Sequence, residues 1–330
     1  NVTQNPNLEV FECIENQLTE IDLSQNPNLV HFRCPINQIT NLDFSSNPNL
    51  EFISCSFNEL TGLNVTQVPN LIKLYCGANQ LASLNITQNP NLVELEAGNN
   101  FFTSLDVTQN PNLAILGCHE NQLTSLDVTQ NPNLYHFYPS GNQLTDLDVS
   151  HNPNLVRIYC NDNQLTNLDV SQNPNLEKIR CQNNQLTNLN IKNENNGNIT
   201  QMFSFNNPNL FCIQIDDETA TYPVCDQGNN TGWCKDSWAE YNEECILDVP
   251  SFESINYIQI YPNPTENILN IINNYNLDIY RVQIYDYQGR IVLKENSGFN
   301  TLELTHLNSG ILFLRIESEK GILFKKIIKK

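Results

Sequence analysis

The 330-residue chain carries 36 acidic and 16 basic residues, a formal net charge of −20. Residues 1–245 hold 27 of the acids and 7 of the bases, against 9 of each in 246–330. The first part therefore lacks the cationic footprint that nucleic acid requires. No run approaches the roughly 18 apolar residues of a membrane-spanning helix.

The chain enters in mid-repeat, in the Asn-Val-Thr-Gln-Asn-Pro slot before Leu8, with no signal peptide in view. The expectation is a mature product or fragment lacking an amino-terminal capping unit. Proline then recurs at a constant spacing, at positions 6, 27, 48, 69, 90, 111, 132, 153 and 174. A fixed period of that length predicts a solenoid. One unit reads Leu8-x-x-Phe11-x-Cys13-x-x-Asn16-x-Leu18-x-x-Ile21-x-Leu23-x-x-Asn26-Pro27-Asn28, and Leu29, Phe32, Cys34, Asn37, Ile39, Leu42, Phe44 and Asn47 fill the same slots in the next. The first half of each unit predicts a short parallel strand, with Phe11 and Cys13 inward and Val10, Glu12 and Ile14 outward. Asn-Pro then turns the chain, because proline fixes φ and extends the residue before it. The column Asn16, Asn37, Asn58, Asn79, Asn100, Asn121, Asn142, Asn163 and Asn184 is expected to form an internal ladder satisfying loop backbone groups. Cys13, Cys34, Cys55, Cys76, Cys118, Cys160 and Cys181 share one inward slot, filled elsewhere by Ala97 and Pro139, and read as small buried hydrophobes.

These residues resemble the leucine-rich repeat family, whose pattern is L-x-x-L-x-L-x-x-N-x-L. The half-pattern occurs twice per unit, which resembles the short 21-residue class of bacterial leucine-rich repeats. After Ile191 the period breaks: the Asn-Pro-Asn-Leu that follows Pro174 comes only at Pro208, thirteen positions late, which predicts an insertion of that length around Lys192–Asn198. The stretch 212–245 resembles the terminal cap of secreted leucine-rich-repeat proteins of the Bacteroidota. Ser237-x-x-Glu240 is a capping-box signature, predicting a short helix over 237–245 that lays Trp238, Tyr241 and Cys245 on the open core. Cys212, Cys225, Cys234 and Cys245 allow three pairings. The resemblance covers an outer pair, Cys212–Cys245, with Cys225–Cys234 as an addition. A four-cysteine zinc site is the rival, although no C-x-x-C clamp is present.

Residues 246–256 read as a linker. Strands are then predicted at 257–261, 268–272, 280–286, 290–295, 301–304, 311–317 and 322–328, with turns at Gln288-Gly289 and Lys320-Gly321, which indicates a small β-sandwich. Tyr261-Pro262-Asn263-Pro264-Thr265 opens this tail, followed by Leu269-x-Ile271, then Asp286-x-x-Gly289-Arg290 and Leu307-x-x-Gly310. Phe313-x-Arg315-Ile316 and Lys325-Lys326-Ile327-Ile328-Lys329-Lys330 close it. The tail resembles the type A carboxy-terminal sorting domain of the type IX secretion system. Where that family usually has an aromatic two residues after the glycine, this chain has Leu312 and keeps Phe313. The resemblance implies export across the outer membrane by the type IX translocon, removal of the tail by a sortase-like peptidase, and commonly attachment to surface lipopolysaccharide. The expected division is thus a β-rich leucine-rich-repeat solenoid over 1–211, a disulfide-bonded cap over 212–245, a linker, and an immunoglobulin-like sorting domain over 257–330.

The second half of each unit, Leu-Thr-x-Leu-Asp-Val-Ser/Thr-Gln-Asn, barely changes, whereas the outward positions of the first-half strand vary freely. One face fixed by packing and another free to differ is the pattern of a recognition surface on a solenoid. Candidate ligand-binding residues are Phe52, Tyr75, His136, Tyr138, Arg157, Tyr159, Lys178 and Arg180, since tyrosine and arginine anchor interfaces and rings also stack on sugars. The column Asp22, Asp43, Asn64, Asn85, Asp106, Asp127, Asp148, Asp169 and Asn190 reads as a solvated ladder bonded to adjacent loops, with bridging calcium as the alternative. No G-x-S-x-G, H-E-x-x-H, Walker or dinucleotide motif is present, so neither catalysis nor a cofactor is expected. The function expected is adhesion or capture of an extracellular protein or glycan at the cell surface. A structural surface-coat spacer and an accessory module of a larger secreted hydrolase are the alternatives.

Overall fold

The computed structural model describes residues 2–245, 258–273, 277–286, 290–295, 297–318 and 321–330, without the side chains of Ile322 and Phe324. The expected linker, the Gln288-Gly289 turn and the candidate sorting residue Gly289 lie outside the described residues. The chain divides into two compact units, Asn1–Cys245 and Ile246–Lys330.

In the first unit every coil contributes one three-residue strand to a parallel sheet: β1 (Val10–Glu12), β2 (His31–Arg33), β3 (Phe52–Ser54), β4 (Lys73–Tyr75), β5 (Glu94–Glu96), β6 (Ile115–Gly117), β7 (His136–Tyr138) and β8 (Arg157–Tyr159). A second sheet on another side opens with β9 (Asn167–Asp169); β10 (Lys178–Arg180) returns to the first and β11 (Asn188–Asn190) to the second. Then β12 (Gln201–Phe203) and β14 (Gly232–Cys234) complete the first sheet, β13 (Cys212–Gln214) and β15 (Glu240–Asn242) the second. Pairing advances by one repeat period per coil, His31 onto Phe52 and Phe52 onto Lys73. Alternation places the middle residue of each strand inward: Phe32, Ile53, Leu74, Leu95, Leu116, Phe137, Ile158 and Ile179 are all fully buried. Each such side chain contributes about 1.5–3 kcal/mol of burial. The cysteine column behaves as read: Cys34 to Cys181 are buried, Cys13 half-buried, and all seven are free thiols.

The asparagine ladder is present. Asn121 Nδ2 donates to the carbonyls of Ala97, Cys118 and His119, and its Oδ1 accepts the N–H of Phe102. A second ladder stands where proline alone was credited with the turn. Asn26, Asn47, Asn89, Asn110, Asn131, Asn152 and Asn173, each just before proline, are fully buried. Asn131 Nδ2 donates to the carbonyls of Val107 and Asn110, tying each turn to the coil before it. A third regularity is conformational. One residue per coil is left-handed, among them Glu15, Ile36, Phe57, Ala78, Asn99, Glu120, Asp162 and Asn183 at φ 51 to 58°. Gly141 (φ 63°) fills the same slot, and the Glu120 carboxylate lies over it, 2.4 Å from where a Cβ would stand.

Two expectations near the end of this unit are corrected. The break is not a thirteen-residue insertion. Lys178 pairs with Gln201 and Leu189 with Ile213, where an unbroken period would bring Ile199 and Leu210. The coil thus gains only two or three positions, around the 3-10 turn Asn196–Asn198. Asn207 is the next member of the first ladder, donating to Cys181 O and Ser204 O, so Pro208 does not occupy the Pro174 slot. The larger insertion follows: Gln201 pairs with Gly232, where an unbroken period would bring Tyr222. Residues 237–245 are not a helix either: Glu240–Asn242 is a strand paired with Cys212–Gln214, and Trp238 is exposed. The Asp236 carboxylate instead takes the N–H groups of Asn206 and Asn207. Trp233, stacked on Tyr222 at 4.0 Å and edge-on to Tyr241 at 5.5 Å, closes the core, its indole N–H donating to Ile199 O. Disulfides Cys212–Cys245 and Cys225–Cys234 fasten this end.

The second unit has seven strands among the described residues, antiparallel, where the sequence places them. β16 (Ile258–Tyr261), β17 (Ile268–Asn273) and β20 (Thr301–Glu303) form one sheet. β18 (Ile279–Tyr285), β19 (Ile291–Glu295), β21 (Gly310–Ser318) and β22 (Gly321–Lys329) form the other, in the order β19-β18-β21-β22. Leu269, Leu302 and Leu304 meet Val282, Ile284, Leu314 and Ile316 in one core.

Candidate recognition surface

The outward side chains of the first sheet form two columns, because parallel pairing stacks the same slot of every coil about 4.8 Å apart. In the first coils His31 lies edge-on to Phe52 at 6.1 Å and Phe52 edge-on to Tyr75 at 5.2 Å. The cations here are paired: Arg33 with Glu12 at 3.0 Å and Lys73 with Glu94 at 2.6 Å. Tyr75 donates its hydroxyl to Glu94. Burial would raise the Glu94 pKa, but the bonds from Lys73 and Tyr75 outweigh it and lower it.

Farther along, Tyr135, His136, Tyr138, Tyr159 and Arg180 make a continuous stack, with centroid separations of 4.4, 5.8 and 5.2 Å and the Arg180 guanidinium 4.5 Å over the Tyr159 ring. Arg180 also lies 5.6 Å from the Phe203 ring and donates to Gln201 Oε1. Burial, then Arg157, lowers the His136 pKa against the opposing pull of Glu177. Burial raises that of Tyr138 against an opposing hydrogen bond with Arg157. His136 Nε2 and Arg157 Nε are buried without a hydrogen-bond partner among the described residues.

Between the two groups Gly117 leaves a gap. The Glu96 carboxylate folds over it, so close that a Cβ at 117 would lie 1.9 Å from Glu96 Oε2. Burial, then neighbouring Glu94, raises the Glu96 pKa. Of the eight candidate residues the fold thus brings six together, His136, Tyr138, Arg157, Tyr159, Lys178 and Arg180. Phe52 and Tyr75 sit in a separate group, with Tyr75 and Tyr138 three coils or about 14 Å apart. Glu96 and Gly117, outward positions of the varying column that were not chosen as candidates, share this face with Gln201 and Phe203, which were missed. The last two follow a broken period, although Ile199-x-x-Met202 marks Phe203 as the next outward position.

The aspartate column is bonded to the loop that follows it in each coil, and Asn190 Nδ2 also donates to Asp169 Oδ2 of the neighbouring coil at 3.3 Å. Each Oδ1 takes a local N–H two residues on, as Asp106 does from Thr108 at 2.9 Å, with the Thr108 hydroxyl added at 2.7 Å. Asn64 and Asn85 make the same bonds with an amide oxygen. Among the described residues no group of three His, Cys, Asp or Glu could hold a metal ion.

In the tail, Asn263 and Thr265 bind the free edge of β22. Asn263 Nδ2 donates to Lys326 O while its Oδ1 accepts Ile328 N–H; Thr265 N–H donates to Ile328 O and its carbonyl accepts Lys330 N–H. The peptides preceding Pro262 and Pro264 are cis. Tyr261, Lys325 and Lys326 are exposed, Gly310 has φ 144°, and Arg290 pairs with Asp286 at 2.7 Å.

Among solved structures, a leucine-rich-repeat protein of Leptospira interrogans is similar at 24% identity and TM-score 0.51, over 65% of this chain and 62% of that one. The functional domain of InlJ from Listeria monocytogenes, described as including a cysteine ladder, aligns at 21% identity and TM-score 0.42, over 100% and 83%. YopM from Yersinia enterocolitica aligns at 22% and 0.45, over 64% and 55%. No curated protein matches the sequence. Residues 259–330 match the family model described as a secretion system C-terminal sorting domain. The first unit has the fold of a leucine-rich-repeat solenoid, and the tail carries a secretion sorting domain. The sorting domain directs secretion to the cell surface. Among the described residues no helix is long and apolar enough to cross a membrane.

Proposed function

We propose that the solenoid is a surface-displayed binding protein whose first-sheet outward face recognises an extracellular protein or glycan. The observation carrying this is the contrast within each coil: the buried slots and the second half repeat, while the outward columns differ from coil to coil and gather aromatic and cationic side chains. The mechanism is recognition by a rigid face whose rings are already stacked, so little side-chain entropy remains to be lost on binding. The test is binding of the full chain to a panel of extracellular glycans and proteins, beside a folded Tyr138→Ala/Tyr159→Ala variant. Saturable binding lost in the variant supports the reading; binding untouched by it, or none at all, shifts the reading to a structural spacer. For the tail we infer engagement of the type IX translocon and sortase-like removal. A chain lacking 257–330 is expected to accumulate in the periplasm, and unimpaired surface display of that truncation would refute the inference.

A further inference from the structure

The cations of the solenoid are not spread at random over its acidic surface. Of the seven basic residues in 1–245, five (Arg33, Lys73, Arg157, Lys178 and Arg180) lie on the outward face of the first sheet. The first two are neutralised by carboxylates on that face. Arg157, Lys178 and Arg180, on the adjacent strands β8 and β10, make no ion pair among the described residues. Three unpaired cations on adjoining coils of a strongly acidic unit repel one another, and such an arrangement is relieved by an anion placed over them.

Two further features describe the rest of the ligand. Tyr138 and Tyr159 are half-buried within the stack that runs from His136 to Arg180, so they offer a shallow row of ring edges rather than an enclosed pocket for one anchoring side chain. Beside it, across the Gly117 gap, lies the Glu96 carboxylate, with no hydrogen bond to another side chain among the described residues. A carboxylate accepts from hydroxyls and repels an acidic peptide. Cations, flat rings and one hydroxyl-accepting carboxylate on a shallow surface match an acidic sugar chain. Resting on the recognition reading above, we propose that the Tyr138–Arg180 region binds an anionic polysaccharide. Its sugar rings pack against the exposed edges of the two tyrosines, its hydroxyls reach Glu96, and its carboxylate or sulfate groups sit over Arg157, Lys178 and Arg180.

The test uses the full chain and paired polymers: polygalacturonate against its carboxyl-reduced neutral form, and dextran sulfate against dextran, with poly-glutamate as the peptide comparison. The expected result is saturable, salt-weakened binding to at least one anionic polysaccharide, the two pairs separating uronate from sulfate recognition. Affinity should fall at least tenfold in Arg157→Gln/Lys178→Gln/Arg180→Gln and in Tyr138→Ala/Tyr159→Ala, and stay unchanged in Arg33→Gln. Lys178→Gln alone, a partly exposed single change, should weaken binding measurably if the triple variant does not fold. Equal binding of the neutral polymers, equal or tighter binding of poly-glutamate, loss in the charge variants without loss in the tyrosine variant, or no binding to any polymer each overturns the proposal. A neutral glycan or a protein bound through Tyr138 and Tyr159, with the glutamine variants unaffected, would overturn this inference while leaving the recognition face standing.

Discussion

Replacing Asn121 by alanine isolates what one ladder amide contributes. The three carbonyls that Asn121 Nδ2 serves each keep another donor: Asn100 Nδ2 for Ala97, Asn142 Nδ2 for Cys118, and the Asn99 N–H for His119. The Phe102 N–H is different, because Asn121 Oδ1, at 3.1 Å, is its acceptor and lies in the core. An orphaned buried N–H costs about 1–3 kcal/mol, and two amide hydrogens shared among three carbonyls add roughly 1 kcal/mol more. A total near 3 kcal/mol follows, against about 0.5 kcal/mol or less for Asn112→Ala, whose side chain is exposed with one bond to Pro90 O. A solenoid can open coil by coil, so the assay is hydrogen exchange of the 102–105 segment rather than a single midpoint. About 3 kcal/mol corresponds to exchange faster by roughly two decades. A change below threefold, or an equal loss in Asn112→Ala, would refute the argument.

Ile36 holds φ 58° with a branched side chain that is largely exposed, so Ile36→Asn should stabilise by about 1 kcal/mol and raise the melting temperature; a lower one contradicts the strain argument. Side-chain and backbone bonds from Ser24, Thr108, Thr129 and Ser150 hold Asp22, Asp106, Asp127 and Asp148 below the ordinary carboxylate range. Their contribution is complete above the unfolded value of 3.8 and is lost as pH falls through the lower native values. Melting temperature should therefore drop between pH 5 and pH 2.5, less steeply in Asp106→Asn/Asp127→Asn/Asp148→Asn, and an identical slope would remove this column as the cause. Burial pushes the thiols of Cys76, Cys118 and Cys160 up to about 12. Iodoacetamide at pH 8 should leave them unlabelled until the chain unfolds; native labelling of any of the three would show that the core column is open.

Much of this was legible because it repeats. A slot that holds Leu, Asn or Cys in most coils reports itself, so the strands, the cysteine column and the first ladder could be read from residue type alone. The left-handed position was harder: Asn99, Gly141, Asp162 and Asn183 are types that favour it, but Glu15, Ile36, Phe57 and Ala78 share the same coil-dictated geometry without any such preference. Asn131 was hidden differently, since the following proline already explains a turn and only burial shows that the amide is needed. Pro208 and Ser237-x-x-Glu240 misled for the opposite reason. Each is a valid local signal overridden by coil register, which gives Asn207 to the ladder and Glu240 to a strand. Within the candidate face, identity flagged the tyrosines and arginines but said nothing of Gly117, whose importance lies in the side chain it lacks.

Each coil bonds and packs with the coil before and the coil after it, and its own second half is nearly interchangeable with any other. A coil is therefore a removable part. Excising or duplicating one whole repeat anywhere between positions 29 and 175 rejoins like with like: core onto core, ladder onto ladder. Such an event leaves the hydrophobic interior continuous but slides the aromatic and charged groups on either side of it together or apart by one rung, about 4.8 Å. Near-identical second halves are also the kind of sequence on which unequal recombination acts. The lineage can thus retune the spacing of its outward face in whole steps, by editing length, without discovering a new fold.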